Sequence, residues 1–162
     1  MKKGINTVEI YIHSIPLCKQ ALIIYKKRML INSEEEMIEL GAKLIQEKKI
    51  ILLEGDLGAG KTTFTKWVAK WLNIKAVTIQ SPTYTYTNTY GDKLFHMDMY
   101  RLESYDQMLQ KWIIHDMENY DYIVIERPKR IDQLPIDDYY IVHIKKTSPT
   151  SREVSIENKS VL

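Results

Sequence analysis

The sequence has a single cysteine, almost no net charge and no long apolar run, and each of these shortages excludes a class of protein. Because Cys18 stands alone, no intramolecular disulfide and no two-thiol metal site can form. The 23 basic and 21 acidic residues leave a formal charge of +2, so no overall field draws the chain onto nucleic acid or anionic lipid. Apolar runs such as residues 21–25 are far shorter than the ~20 residues of a transmembrane helix. We therefore expect a cytoplasmic protein without a membrane segment.

The length and composition indicate one globular domain with an N-terminal extension. A chain of 162 residues, 44% hydrophobic and 27% charged, can bury a substantial core but is too short for two ordinary domains. Apolar residues alternate at positions 8–12, as in a short strand, and Pro16 ends this pattern. Polar residues at positions 6, 9 and 13 interrupt the continuous apolar region that a signal peptide needs. We predict that residues 1–28 are an extension outside the core fold, and that residues 29–162 form the domain, with Met29 as its natural first residue.

Apolar periodicity predicts alternating helices and strands. Ser33 and Glu36 form a capping box ahead of an apolar stripe, which predicts a helix over residues 33–48. The apolar run at residues 50–53 is typical of a fully buried parallel strand, and an amphipathic helix over residues 62–72 follows it. The remaining expected elements are strands at 77–79, 84–87, 94–100, 122–125, 139–144 and 154–156, and a helix at 104–112.

The loop between that buried strand and helix matches the phosphate-binding pattern G-x-x-x-x-G-K-[ST] at every fixed position. Glycines allow backbone N–H groups to surround phosphate oxygens, and the helix presents its positive end to the same anion. Lys61 would contact the β- and γ-phosphates, Thr62 would offer its hydroxyl to magnesium, and Thr63 is placed for a further phosphate contact. A chance glycine-rich turn is the alternative, but the flanking strand and helix favour a nucleotide site. The loop consists of Gly55, Asp56, Leu57, Gly58, Ala59, Gly60, Lys61 and Thr62.

Two acidic residues are candidates for the metal and water chemistry of such a site. Glu126 ends the apolar run 123–125, where a magnesium-organising residue or a general base is expected; an exposed acid at a strand end is the alternative. Asp98 is interpreted as a group that positions water or the magnesium shell, and a salt bridge to Arg101 or a lysine is the alternative. Strand alternation places His96 on the face of Asp98, but one histidine and one carboxylate are too few for a transition-metal site.

The segment Ser81-Pro82-Thr83-Tyr84 lies between the phosphate loop's helix and the strand that contains Asp98. Segments in this position often sense the nucleotide, and the Thr83 hydroxyl could contact the γ-phosphate or its metal. An ordinary proline turn between two strands is an equally good interpretation of the residue chemistry.

Taken in order, these segments resemble the TsaE family, also called YjeE, the bacterial ATPase partner in the synthesis of the threonylcarbamoyladenosine (t6A) of tRNA. The resemblance spans about residues 33–156. In this family a tryptophan usually follows the second acid, where this chain has Arg127, and the usual glycine-containing stretch before that acid is poorly represented in residues 107–116. The resembling segments are Gly55 to Thr63, Ser81-Pro82-Thr83-Tyr84, His96-Met97-Asp98-Met99-Tyr100-Arg101, Ile125-Glu126 and Leu134-Pro135.

The resemblance implies a fold, a reaction, ligands and partners. The implied fold is α/β, a three-layer P-loop NTPase-like architecture with a central mixed, largely parallel sheet flanked by helices. The implied cofactors are ATP and Mg²⁺, with Lys61, Asp98 and Glu126 as catalytic residues and Thr83 at the nucleotide. Thr62 and Glu126, with Asp98, would serve the magnesium ion. The implied activity is ATP hydrolysis, slow without partners, in support of the TsaB–TsaD pair that carries the ligase chemistry, so that tRNA is reached only indirectly.

Three other functions share the phosphate-binding loop. A small-molecule kinase needs a lid with several arginines, and none is evident because the arginines are scattered. A GTPase needs an Asn-Lys-x-Asp element to bind guanine, and Asn158-Lys159 is followed by Ser160 and Val161. An ATP sensor would need only the loop, with a functionally silent Glu126. The scattered arginines are Arg101, Arg127, Arg130 and Arg152.

Overall fold

The computed structural model describes residues 7–14, 21–75, 79–102, 113, 115–129 and 131–161, with side chains from residue 26 onwards except those of residues 132 and 161. The helix predicted at 104–112, and all but the last residue of the strand predicted at 77–79, lie outside the described residues. No helix within the described ranges is long and apolar enough to cross a membrane.

One sheet of eight strands forms the centre of the described chain, with helices packed against it. In chain order the elements are β1 (Thr7–Ser14), β2 (Ala21–Ile31), α1 (Glu34–Glu47), β3 (Ile50–Glu54), α2 (Lys61–Trp71), β4 (Thr87–Tyr90), β5 (Leu94–Asp98), β6 (Tyr122–Glu126), a short 3-10 helix (Ile131–Gln133), β7 (Asp138–Lys146) and β8 (Arg152–Val161). The strand order across the sheet is β1-β2-β8-β7-β3-β6-β5-β4.

The middle of the sheet is parallel and its flanks are antiparallel. Strands β7, β3, β6 and β5 run parallel to one another, whereas β4 on one side and β8, β2 and β1 on the other pair antiparallel. Strand β3 is buried on both faces, as its continuous apolar sequence predicts. These features confirm the predicted α/β fold with a mixed sheet. Because parallel strands end at the same edge, the loop after β3 lies beside Asp98 and Glu126, which are paired in register at the ends of β5 and β6.

Helices α1 and α2 cover one face of the sheet. The backbone N–H of Glu36 donates to Ser33 Oγ at 3.2 Å, and Asn32 N–H donates to Glu36 Oε2 at 2.7 Å, which confirms the predicted capping interaction at the start of α1. The two helices pack closely at Gly41, where an added Cβ would lie 3.6 Å from the Phe64 ring. The close packing of α1 fixes α2, and with it the loop that precedes α2.

A second apolar cluster lies on the other face of the sheet. Phe95, Met97 and Met99 belong to it, which confirms that this alternating set of β5 is core. Residues that follow β5 and β6 cover the cluster, and residues 115–117 are helical. Their buried side chains are Leu102, Ile113, Met117, Leu134 and Ile136.

The structure differs from the sequence prediction at residues 84–87. The segment was predicted as a strand from its β propensity, but only Thr87 is in β4, and residues 83–85 form a turn. Thr85 N–H donates to the Pro82 carbonyl at 3.1 Å, and Tyr86 has a left-handed φ of 66°. The proline turn therefore prevails over the strand preference of the tyrosines and threonines.

The N-terminal strands extend the sheet at its β8 edge. Strand β2 pairs with β8 from Leu22 to Ile31, and β1 pairs with β2. The predicted boundary between residues 28 and 29 therefore falls inside β2. Whether residues 1–28 are dispensable for the core stays a prediction that a truncated chain can test.

Candidate functional site

The loop after β3 has a backbone that only glycine accommodates at its first position. Gly55 has a φ of 145°, and a Cβ added there would lie 2.2 Å from the carbonyl oxygen of Ile144 on β7. Gly60, with a φ of 116°, occupies the N-cap position of α2 and offers no capping side chain to the first N–H groups of the helix. Those donors remain for an anion at the positive end of α2.

Lys61 is the first residue of α2 and is folded back over the loop. Its ammonium donates to the carbonyl oxygens of Gly55 at 2.6 Å and Asp56 at 2.8 Å. The residue is only 5% exposed, and this burial is the main cause that lowers the pKa of Lys61 from its ordinary value. Its bonds in the described structure go to neutral carbonyls rather than to a carboxylate, so its charge is available to an anion in the loop.

Glu126 lies at the end of β6, against the start of α2. Its Oε1 accepts a hydrogen bond from Thr62 Oγ1 at 2.9 Å and lies 2.9 Å from His96 Nε2. Glu126 and His96 are both buried, so the alternative of an exposed acid at a strand end is wrong. The hydroxyl of Thr62 and the carboxylate of Glu126 are hard oxygen donors beside a phosphate-type loop. This donor set fits a magnesium ion.

Asp98 lies at the end of β5 and pairs with Arg127, not with Arg101 or a lysine as the alternative supposed. Arg127 Nε donates to Asp98 Oδ1 at 2.9 Å, and Arg127 Nη2 bonds Asp98 Oδ2. Thr83 Oγ1 donates to Asp98 Oδ2 at 2.6 Å. Burial alone would raise the pKa of Asp98, but bonds from Arg127, Thr83 and the Tyr100 amide outweigh it, so the pKa lies below its ordinary value. Asp98 is therefore a buried, charged anchor for Thr83.

One cavity of about 250 Å³ brings most of the predicted residues together. Lys61, Thr62, Thr63, Thr83 and Glu126 all contribute to its walls. Asp98 is not in the lining and acts from behind Thr83. Leu57 extends into solvent and is 91% exposed. The complete lining is Leu57, Gly58, Gly60, Lys61, Thr62, Thr63, Ser81, Thr83, Glu126, Arg127 and Arg152.

A second cavity of about 480 Å³ adjoins the first through shared residues. Gly60, Thr63 and Arg152 line both cavities. The second cavity extends between the start of α1 and the turn before β8, and its walls include the apolar side chains of Ile31 and Met37. Its size and mixed lining suit a nucleoside attached to phosphates held in the first cavity.

Sequence reasoning missed three residues of the site. His96 could have been found, because strand alternation already placed it on the same face as Asp98. Arg127 follows Glu126 directly, yet its bonds to Asp98 and Thr83 cross between elements and leave no local pattern. Arg152 donates to the Ala59 carbonyl at 2.7 Å, a contact set by the folding of β8 against β7. The arginines are therefore less scattered than the sequence suggests.

The comparisons with known proteins decide the family. The model of the family described as "Threonylcarbamoyl adenosine biosynthesis protein TsaE" matches residues 31–154. The chain belongs to the TsaE family. The match begins at the end of β2 and ends within β8, so it contains every residue assigned to the two cavities above. The TsaE resemblance drawn from the sequence motifs is confirmed.

Individual TsaE proteins and one solved structure show the same relationship. The chain is 36% identical to the TsaE protein of Bacillus subtilis over 131 residues, 77% of this chain and 80% of that protein. It is 41% identical to the TsaE protein of Aquifex aeolicus over 87 residues, a match of 49% of this chain and 65% of that protein. The crystal structure of Bacillus subtilis YdiB aligns with a TM-score of 0.59 at 27% identity, covering 83% of this chain and 86% of that one.

Proposed function

We propose that this TsaE family member binds ATP with Mg²⁺ in the two adjoining cavities and hydrolyses the ATP in support of t6A synthesis on tRNA. The observation that carries the proposal is the buried Lys61 ammonium. It lies over a glycine loop at the uncapped start of a helix, with Thr62 and Glu126 bonded to each other beside it. Nucleotide binding fits a family of P-loop proteins, and t6A synthesis is the process for which the family is named.

The phosphates would occupy the smaller cavity. Gly58 and Gly60 leave the loop's N–H groups accessible, and a Cβ at Gly58 would meet nothing within 4 Å, so the loop has room for phosphate oxygens. Lys61 would exchange its carbonyl partners for the β- and γ-phosphates. That exchange is favourable because an ammonium gains more from an anion than from a neutral carbonyl.

Thr62 and Glu126 are the residues that would hold the magnesium. When bound, Mg²⁺ would neutralise charge on the terminal phosphates and so favour displacement at the γ-phosphate. Glu126 would also orient or deprotonate the attacking water, since it lines the cavity and its carboxylate is bonded to Thr62. His96, bonded to the same carboxylate oxygen, fixes the orientation of Glu126.

Thr83 and Asp98 would connect nucleotide binding to the exposed segment around Ser81. Asp98 accepts bonds from Thr83 and, at 3.4 Å, from Ser81 Oγ, so its charge positions the segment that lines the cavity. Tyr84, next along the chain, is 78% exposed. If Thr83 moves when the γ-phosphate binds, Tyr84 at the surface would therefore move with it.

The partners of the activity are part of the same proposal. We place the chain in the cytoplasm with the TsaB–TsaD pair, which carries the ligase chemistry, and tRNA is contacted through that pair. The formal charge of +2 supports the indirect role, because the chain has no excess of cations with which to bind an RNA backbone strongly.

Phosphate release from ATP, measured with and without the partner pair, tests this function. We expect slow Mg²⁺-dependent release that rises with partners, is abolished in Lys61→Ala, and is slowed in Glu126→Ala while ATP binding is retained. Lys66→Ala is the matched control, because Lys66 is an exposed lysine on the same helix. Transfer of phosphate to a small-molecule acceptor would instead show a kinase, and binding without release would show a sensor.

A further inference from the structure

Arg127 is a cation at the wall of the phosphate cavity that is held by side chains on several sides. Its guanidinium bonds the Asp98 carboxylate through Nε and Nη2, and Nη2 also donates to Thr83 Oγ1 at 2.8 Å. The ring of Tyr100 lies beneath it, with the guanidinium carbon 4.3 Å from the ring centroid. The side chain is 17% exposed, so it is largely fixed but still accessible from the cavity.

The backbone of Arg127 is also unusual. Its φ of 52° is left-handed, a conformation that costs free energy in a residue with a side chain. The Arg127 N–H donates to the Leu53 carbonyl at 2.7 Å, at the end of the strand that leads into the phosphate loop. Such conformations persist where the surroundings impose them, often at functional sites. Here the conformation directs the side chain across the end of the sheet towards Thr83 and Asp98.

The bonds of Arg127 differ in kind from those of Arg152, the other arginine in the cavity lining. Arg152 donates to backbone carbonyls, among them Ala59 at 2.7 Å and Ser151 at 2.9 Å, and so braces the loop. Arg127 instead bonds the carboxylate of Asp98 and the hydroxyl of Thr83. A guanidinium presents several N–H donors in a plane, so it can bond Asp98 and a phosphate oxygen together.

We propose that Arg127 contacts the γ-phosphate and is the residue by which this chain distinguishes a nucleoside triphosphate from a diphosphate. Lys61, at the start of α2, and Arg127, after the end of β6, would then both supply positive charge to the terminal phosphate. Asp98 and Thr83 are positioning residues that hold the guanidinium ready. This inference rests on the proposed nucleotide binding.

The test is to measure by calorimetry how tightly the chain binds ADP and a non-hydrolysable ATP analogue, each in the presence of Mg²⁺. In the wild-type chain we expect tighter binding of the triphosphate. Arg127→Gln should weaken triphosphate binding by roughly 10- to 100-fold, the worth of a charged hydrogen bond, and leave ADP binding within about twofold. The matched control is Arg101→Gln, since Arg101 is stacked on Tyr84 at 4.2 Å but is not in the cavity lining. It should leave both affinities unchanged.

A double variant separates phosphate contact from the neutralisation of Asp98. Arg127→Gln alone leaves a buried carboxylate without its cation, which could disturb the cavity or the fold. Asp98→Asn added to Arg127→Gln removes that charge, and circular dichroism would confirm that the double variant is folded. If Arg127 contacts the γ-phosphate, the double variant still fails to prefer the triphosphate. Recovery of the preference in the double variant, or equal weakening of ADP and triphosphate by Arg127→Gln, would overturn the inference. A wild-type chain that bound neither nucleotide would instead refute the proposed function.

Discussion

Replacing Gly55 by alanine should destabilise the fold more than the same change at Gly58. A Cβ at Gly55 would lie 2.2 Å from the Ile144 carbonyl oxygen and 3.2 Å from Ala59 Cβ. That carbonyl belongs to β7, which is paired on both sides, so it cannot move away without disturbing the sheet. In Gly55→Ala the unusual φ should destabilise the fold by about 1–3 kcal/mol. The overlap of the added Cβ with the carbonyl oxygen should add about 1–3 kcal/mol. Their sum gives a loss of about 2–6 kcal/mol from the free energy of unfolding.

Gly58 provides the control because it shares the positive φ but not the close contact. Its φ is 75°, and a Cβ there would meet nothing within 4 Å. Gly58→Ala should therefore cost about 1–2 kcal/mol, from backbone strain alone. Urea denaturation of the wild type, Gly55→Ala and Gly58→Ala without nucleotide measures the difference. The comparison requires that the free energy of unfolding depends on urea concentration with the same slope in all three proteins. Equal destabilisation by the two substitutions would show that the close contact with β7 is not what requires glycine at position 55.

Three further substitutions test the site and the fold. Because the pKa of Asp98 lies below its ordinary value in the folded chain, Asp98 stabilises the fold above its unfolded pKa, and this stabilisation is lost as pH falls through the folded pKa. In Asp98→Asn the free energy of unfolding should therefore fall less steeply than in the wild type as the pH is lowered from about 5 to about 2. The same pH dependence in both proteins would contradict the ion pair with Arg127. Ser33→Ala should cost about 1 kcal/mol in urea denaturation through loss of the cap on α1, and a neutral result would place the helix start elsewhere. Phe64→Ala should cost about 3–5 kcal/mol, and a loss below about 1 kcal/mol would mean that α1 and α2 do not pack tightly there.

The central strand, the phosphate loop and the two helices could be predicted because their signals are local. A buried parallel strand is a continuous apolar run, and the loop's glycines and lysine occur in one short segment. The capping pair of Ser33 and Glu36 likewise lies within one helical turn. In each case the physical requirement acts between residues close in sequence, so the pattern alone contains it.

The parts of the site that the sequence did not predict depend on contacts between distant segments. The ion pair of Asp98 with Arg127 joins the ends of β5 and β6, and the bond of Arg152 to the loop depends on where β8 packs. A proline turn was one of two open interpretations of residues 81–84, but the β propensity of residues 84–87 led to a predicted strand that in the structure begins only at Thr87. Strand β2 was not predicted, because its pairing with β8 joins segments that are far apart in the sequence.

The binding of Mg²⁺–ATP to the phosphate loop can be measured by calorimetric titration into the folded wild-type chain and into Lys61→Ala. The glycine loop and the Lys61 ammonium are proposed to bind the triphosphate together. We expect a saturable heat of binding for the wild type and a loss of most of the affinity in Lys61→Ala, with Lys66→Ala unchanged. Wild-type affinity in folded Lys61→Ala, or no binding heat from the wild type at millimolar nucleotide, would contradict it.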